Sequence, residues 1–388
     1  MKFTDELINT PSLEFSMLAR QMNISGDKII SLGLGEPGFQ TPSPIIEALF
    51  DAVGAGHTRY TNSNGLYELR QKLCDKFKIE NSIQTDAENI VVTPGSKQAA
   101  LLAMMAILEP GDEVINLLPC YVSYIPQLKL AEPTCIINNI DVLKNTYGPD
   151  WNAIYAKSNC KTKLIVINTP NNPTGYMFSE EDVWQLVELL KKYPRMYVLS
   201  DEVYEYLNFS GKKHLSIGSV DIIKDRVVTV NGFSKSFSMT GWRLGYLNAP
   251  PTLIDRVGRL QQHINTNTAT FIQKAGVAAL SQCRSFLKPY NRQLRTNYTA
   301  LKNLCDRLGN IELNESCGGL FAFINISKTG LRSDEFCSGL LQAQKVATTP
   351  GVLFGENWDC NVRISLAAEV EEFQVGINAL QLYCEGLD

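Results

Sequence analysis

The sequence predicts an α/β fold, and three observations carry that prediction. Between residues 89 and 250, short runs rich in Val, Ile and Leu alternate with longer segments of helical spacing. The short runs are apolar on both faces, which suits strands buried on both sides in a parallel or mostly parallel sheet. Each run ends in Gly, Pro and polar residues, at the place where an open α/β sheet receives its ligands.

Taken in order, NIVVT (89–93) reads as a strand and SKQAALLAMMAIL (96–108) as the helix that follows it, with Pro110-Gly111 turning the chain. EVINL (113–117) and KLIVIN (163–168) are the next strands. SEEDVWQLVELLKKY (179–193) is a helix. Ser179 suits its N-cap, and Glu180, Glu181 and Asp182 put negative charge beside the positive end of the helix dipole. MYVLS (196–200) and RVVTV (226–230) complete the series. Beyond residue 284 the pattern changes to a long helix (287–308), a turn ESCGGL (315–320), shorter α+β elements and an amphipathic helix, EVEEFQVGINALQLYCEGL. The expected organisation is a large α/β domain at 46–283 and a smaller α+β domain built from 1–45 and 284–388.

Bulk composition narrows the function. A net charge of −4 and a pI near 5.6 provide no basic field for nucleic acid or an anionic membrane. No apolar run approaches the roughly 20 residues of a membrane span. MKFTDELINT lacks the pattern of a signal peptide, and the ten cysteines are scattered without a CxxC pair. Reduced thiols in a cytoplasmic protein are therefore expected. The three histidines, His57, His214 and His263, are too dispersed to suggest zinc.

The chemistry gathers at four strand ends. Gly95-Ser96-Lys97 offers backbone N–H groups, a hydroxyl and a helix N-terminus to an anion. Asn172 offers an amide, Asp201 a carboxylate and Tyr204 a phenol. NGFSKSFSMTGWRLGY (231–246) brings an amine, Lys235, with a second cation, Arg243, eight residues on. Each has a plain reading alone: a solvated lysine, a capping aspartate, an Asx-Pro turn, a core tyrosine, an ion-pair arginine. Together they suit pyridoxal 5′-phosphate. The amine would form an imine and the carboxylate would keep the ring nitrogen protonated. Amide and phenol would bond the ring oxygen, while the cradle and Arg243 would hold the phosphate.

LGLGEPGFQTP (32–42), RYTNSNGLYELR (59–70), TPGSKQA (93–99), PCYVSY (119–124), NTPNNPTG (168–175), SDEVYEY (200–206), FSKSFSMTGWRLGY (233–246) and NVRISLA (361–367) span nearly the whole chain. Through them the sequence resembles the class I/II, fold-type-I aminotransferases, in the branch of aspartate and broad-specificity enzymes. The resemblance implies a mostly parallel seven-stranded sheet in the large domain. It also implies amino-group transfer between an L-amino acid and a 2-oxo acid through a Lys235 Schiff base and a pyridoxamine phosphate intermediate. Asp201 would partner the pyridinium nitrogen, Tyr204 and Asn172 would contact the ring oxygen, and Tyr121 would stack on the ring. Gly95, Ser96, Lys97, Ser234 and Arg243 fall around the phosphate. Arg363 would grip the substrate α-carboxylate, with Gly35 adding a backbone contact and Asn172 close by. Tyr60 would reach the cofactor of a neighbouring subunit, which implies a homodimer.

On substrate, Lys97 matches a lysine that contacts the distal carboxylate of aspartate in some relatives. QQHINTNTATF (261–271), expected to border the substrate side, carries no arginine for that carboxylate. Gly38 stands where relatives often have aspartate, and Tyr121 where many have tryptophan. Other pyridoxal chemistries remain open, namely β- or γ-elimination, decarboxylation or cyclisation, because the cofactor stabilises a carbanion common to all. A non-catalytic regulator would be expected to add a helix-turn-helix domain, for which this reading leaves no room.

Overall fold

A computed structural model describes residues 28–387. The strands in chain order are β1 (Ile30–Ser31), β2 (Ile90–Thr93), β3 (Glu113–Leu118), β4 (Ile136–Asp141), β5 (Thr162–Asn168), β6 (Tyr197–Asp201), β7 (Val227–Gly232), β8 (Gly245–Asn248), β9 (Glu312–Leu313), β10 (Phe321–Asn325), β11 (Val346–Ala347), β12 (Thr349–Pro350) and β13 (Asn361–Ser365). The α-helices are α1 (Ser43–Gly54), α2 (Tyr67–Lys76), α3 (Ser96–Ile107), α4 (Tyr124–Ala131), α5 (Trp151–Lys157), α6 (Glu180–Lys192), α7 (Pro251–Asn265), α8 (Thr270–Gln282), α9 (Leu287–Leu308), α10 (Ser333–Gln344) and α11 (Val370–Glu385).

Seven strands form the main sheet in the order β2-β8-β7-β6-β5-β3-β4. All run parallel to their neighbours except β8, which is antiparallel to both β2 and β7. The alternation of side chains along each strand divides the apolar residues between two faces. Val114, Leu164, Val166, Leu199, Val228 and Val230 pack with α3 and α7 on one face. Ile115, Ile165, Ile167, Val198 and Val227 pack with α6 on the other. Both faces are dry, which is why these strands read as continuous apolar runs. The helix expected at 179–193 forms with Ser179 as its N-cap: the Ser179 hydroxyl accepts from Asp182 N, and the Asp182 carboxylate accepts from Ser179 N.

A second, four-stranded antiparallel sheet (β12-β13-β10-β9) has its own apolar core with α9 and α11. Near the start of the described chain, β1 pairs in parallel with β11, so residues 30–31 lie against residues 346–347. Of the segment expected to complete the smaller domain, residues 1–27 lie outside the described residues. No helix of the described residues is long and apolar enough to cross a membrane. No disulfide joins any of the ten cysteines.

Candidate active site

A cavity of about 280 Å³ opens at the carboxyl ends of the parallel strands. Ser96, Lys97, Tyr121, Asn172, Asp201, Tyr204 and Lys235 reach it from the large sheet, and Gly35 and Arg363 from the other side. The strand ends that the sequence singled out therefore do converge.

Each side chain has a local cause. Asn168, the last residue of β5, pairs in register with Asp201, the last of β6. The Asn168 side chain clamps two loops: Nδ2 donates to the backbone oxygen of Asp201 (3.0 Å), and Oδ1 accepts from the backbone of Asn172 (2.7 Å). The Asp201 carboxylate accepts from the Tyr124 hydroxyl at 2.6 Å and from Val203 N at 3.2 Å. Burial pushes Asp201 up to about 6, opposed by those two bonds. Tyr204 is buried too, and burial holds its phenol well above the usual range.

Lys235 follows β7, and its Nζ donates to the Gly35 carbonyl at 2.6 Å. Burial, opposed by Glu36 and aided by the charges of Arg363, Arg243 and Lys97, brings the amine down to about 8. Arg363 projects from β13 opposite Thr349 and Phe323, between core residues Val362 and Ile364. Its guanidinium lies 4.0 Å from the Phe321 ring centre and 4.9 Å from that of Phe354. Nη1 donates to Asn172 Oδ1 (3.1 Å) and Nη2 to Gly33 O (2.8 Å) and Thr349 Oγ1 (3.3 Å). Nε is buried with no partner among the described residues. Burial lowers Arg363 to about 10, which leaves it charged at neutral pH.

The anion cradle sits beside the cavity. Gly95 caps α3 at φ +90°, where only glycine is comfortable, and a Cβ there would come within 2.8 Å of Arg243 Cζ. The first N–H groups of α3 and the Arg243 guanidinium thus face one spot. Ser96 lines the cavity itself, whereas Gly95, Ser234 and Arg243 do not; Ser234 is buried. A helix N-terminus with a guanidinium against it suits a phosphate group.

Some expectations land elsewhere. Tyr60 is 85% exposed and does not line the cavity of its own protomer. Residues 261–271 do not line it either: Gln261 turns inward to donate to Val92 O at 3.0 Å, because α7 packs against the sheet. Gly38 has a packing reason, since a Cβ there would lie 2.5 Å from Ala367 O. Several lining residues had been given no role from the sequence: Tyr124, Gln127, Asn168, Leu34, Glu36 and Phe321. Tyr124, Asn168 and Glu36 lie inside quoted motifs, so their positions were visible and their duties were not. Nothing in its local pattern set Phe321 apart from the core residues around it.

Glu202, Glu205 and His214 bring their ligand atoms within 4.8 Å of one another, a spacing a metal ion could use. All three are already engaged. Glu205 pairs with the fully buried Lys76 and accepts from Asn81 and Asn231; Glu202 accepts from Ser200 and Ser216 and meets His214 Nε2 at 3.1 Å. This network lies just past the carboxyl end of β6, beginning at the residue after Asp201.

Fold and site together define an α/β protein whose open-sheet cavity gathers a buried amine, a buried carboxylate and a buried guanidinium. Comparison with known proteins narrows this class. Residues 27–380 match the model of the aminotransferase class I and II family, and the chain belongs to that family. It transfers an amino group between an amino acid and a 2-oxo acid. It is 35% identical over 366 residues to an aspartate aminotransferase of Pyrococcus horikoshii, covering 93% of this chain and 92% of that protein. It is 36% identical over 367 residues to aromatic-amino-acid aminotransferase 2 of Thermococcus litoralis, covering 91% of each. The structure of Thermus thermophilus aspartate aminotransferase with maleate superimposes with a TM-score of 0.92 at 30% identity, over 98% of both chains.

Proposed function

We propose that this cavity holds pyridoxal 5′-phosphate on Lys235 and transaminates acidic L-amino acids. The observation that carries the reading is the single cavity shared by Lys235, Asp201 and Arg363, with the helix start at Gly95 and Ser96 packed against the Arg243 guanidinium beside it. When bound, pyridoxal 5′-phosphate supplies an aldehyde for the amino group and a ring that accepts the charge left when Cα loses its proton.

The chain's own residues do the rest. Arg363 binds the substrate α-carboxylate; its planar fork, stacked against Phe321, fixes how the Cα–H bond points. Lys235, with its amine brought down to about 8, would be uncharged often enough to take the proton from the substrate Cα and pass it to the carbon that the cofactor aldehyde supplies. Asp201 holds a proton on the ring nitrogen, Asn172 and Tyr204 bond the ring oxygen, and Tyr121 stacks on the ring. Gly95, Ser96, Ser234 and Arg243 hold the phosphate. Lys97 lies over the Tyr121 ring at 5.6 Å and meets the distal carboxylate of the substrate. The Thermus relative's structure with maleate, a dicarboxylate, supports that preference. A second reading, aromatic substrates, is favoured by the Thermococcus relative and by Leu34 and Tyr121 in the wall.

The same reading makes the protein a cytoplasmic homodimer. Phe50, Val53, Tyr60 and Tyr67 are exposed on one protomer, and their burial by a second copy would bring Tyr60 to its partner's cofactor. It also divides the chain into a cofactor-binding domain at 46–283 and a smaller domain of 1–45 with 284–388; the core of the smaller sheet, drawn mostly from residues beyond 284 with Val203, Tyr204, Leu207 and Phe209 packed into it, supports that division.

Borohydride treatment of protein incubated with pyridoxal 5′-phosphate tests the central claim. The tag is expected on the peptide containing Lys235, and Lys235→Ala is expected to lose both the tag and all turnover. Tagging elsewhere, or an active Lys235→Ala enzyme, overturns the reading. Aspartate supplied without an oxo acid should yield one equivalent of oxo acid per site and then stop; continuous ammonia release would instead mark an elimination.

A further inference from the structure

We infer that Tyr124 is a positioning residue for Asp201, which fixes the carboxylate and keeps it ionised through a buried phenol hydrogen bond. The inference rests on the cofactor reading above. Tyr124 is the first residue of α4, only 2% exposed, and forms part of the cavity wall. Its hydroxyl donates to Oδ2 of Asp201 at 2.6 Å, while the peptide N–H of Val203 reaches Oδ1 at the longer distance of 3.2 Å.

The surroundings leave the carboxylate dependent on that phenol. Glu202, the next residue, is a second negative charge. Asn168 spends its amide on the Asp201 backbone rather than on the carboxylate. Cys120 and Tyr204 lie close to Tyr124 and are kept neutral by burial. The cations of the same cavity make their bonds elsewhere, Lys235 to Gly35 O and Arg363 to Asn172, Gly33 and Thr349. Of the influences on Asp201 that oppose its burial, the Tyr124 bond is the largest. Burial and the Asp201 charge hold the Tyr124 phenol well above its usual range, so it stays protonated and remains a donor. A buried carboxylate served by one short bond from a neutral hydroxyl loses its ionised form most readily when that hydroxyl goes.

α4 also ties this bond to the rest of the cavity. Tyr121, just before the helix, meets the Tyr124 ring edge-on at 5.5 Å. Gln127, three residues further along, donates to the Lys97 carbonyl at 2.6 Å. One short helix therefore sets Asp201, the Tyr121 ring and the start of α3 relative to one another.

Tyr124→Phe removes the hydroxyl and keeps the ring. The experiment is equilibrium dialysis of pyridoxal 5′-phosphate against the cofactor-free protein across the acid and neutral range, for wild type, Tyr124→Phe, Asp201→Asn and the double variant. Tyr124→Phe is expected to bind roughly ten-fold more weakly at neutral pH. The sign of the pH effect follows from the donor's role. Losing a bond that favours the charged carboxylate raises its pKa, so the acid limb of the binding curve moves to higher pH. In the Asp201→Asn background the same change is expected to do nothing further. A carboxyl-carbon NMR titration of Asp201 in the cofactor-free protein should show the same upward move. Unchanged affinity and limb in Tyr124→Phe, or an equal loss in both backgrounds, overturns the inference and leaves Tyr124 as packing for Tyr121. Wild-type protein that takes up no pyridoxal 5′-phosphate at any pH overturns the cofactor reading itself.

Discussion

Lys235 and Arg363 show how burial tunes two cations in one cavity to different ends. The Lys235 amine sits at about 8 instead of 10.5, so about a tenth of it is uncharged at pH 7. Because only the uncharged amine attacks an aldehyde, the rate at which cofactor-free protein captures pyridoxal 5′-phosphate should rise with pH and level off above about 8. Stopped-flow absorbance checks this; a midpoint near that of free lysine would contradict it. Arg363 is lowered by burial as well, yet only to about 10, so it keeps its charge for a carboxylate. Arg363→Lys keeps that charge but loses the planar fork and the stacking on Phe321 and Phe354. It is expected to raise KM for the amino donor roughly ten- to a hundred-fold, by the usual worth of hydrogen bonds to charged groups. Steady-state kinetics with kcat and KM resolved separately is the measurement. Lys235 and Asp201 were legible as residues because their types and strand-end positions fit one chemistry, and Arg363 only through the family resemblance of NVRISLA. Their shifted pKa values were not, since those depend on how deeply the fold buries them.

At the level of elements, the sequence disclosed the strands buried on both faces and concealed the rest of the sheet. β4, reading IINNID, lies at the edge, where one side meets solvent and polar residues are tolerated. Its pattern gave no continuous apolar run to find. β8, reading GYLN, starts at the end of GWRLGY, a stretch whose glycines and arginine drew attention as chemistry rather than as a strand. Helix ends were better marked. The Ser179 cap and its acidic first turn placed α6 to within a residue. The start of α3 depends on a subtler device: Gly95 at φ +90° lets the Arg243 guanidinium approach the helix N-terminus. Gly95→Ala is expected to force that guanidinium away and to weaken pyridoxal 5′-phosphate binding at least roughly ten-fold. Equilibrium dialysis of the variant, beside its circular dichroism, separates a damaged cradle from a misfolded protein.

For the whole molecule, one protomer leaves Phe50 69% exposed, with Val53, Tyr60 and Tyr67 also uncovered along residues 50–67. A run of large apolar side chains in solvent calls for a partner surface. Phe50→Asp is expected to shift sedimentation from dimer towards monomer and to lower activity at low protein concentration, with activity recovering as concentration rises. A monomeric wild-type enzyme would refute the homodimer. No periodicity could have announced this surface, because exposure belongs to the assembled chain and not to any one segment.

The bond from Arg363 to the carbonyl of Gly33 spans 330 positions of the chain. On the ribosome, Gly33 is made 330 residues before Arg363, so the cavity stays incomplete until that arginine has been added. Until those residues are made, the β11 partner of β1 and the arginine on the far wall are missing, and the growing chain must wait with that wall open. Any cofactor captured by a nascent chain would meet an amine and a phosphate cradle, yet no grip for a substrate.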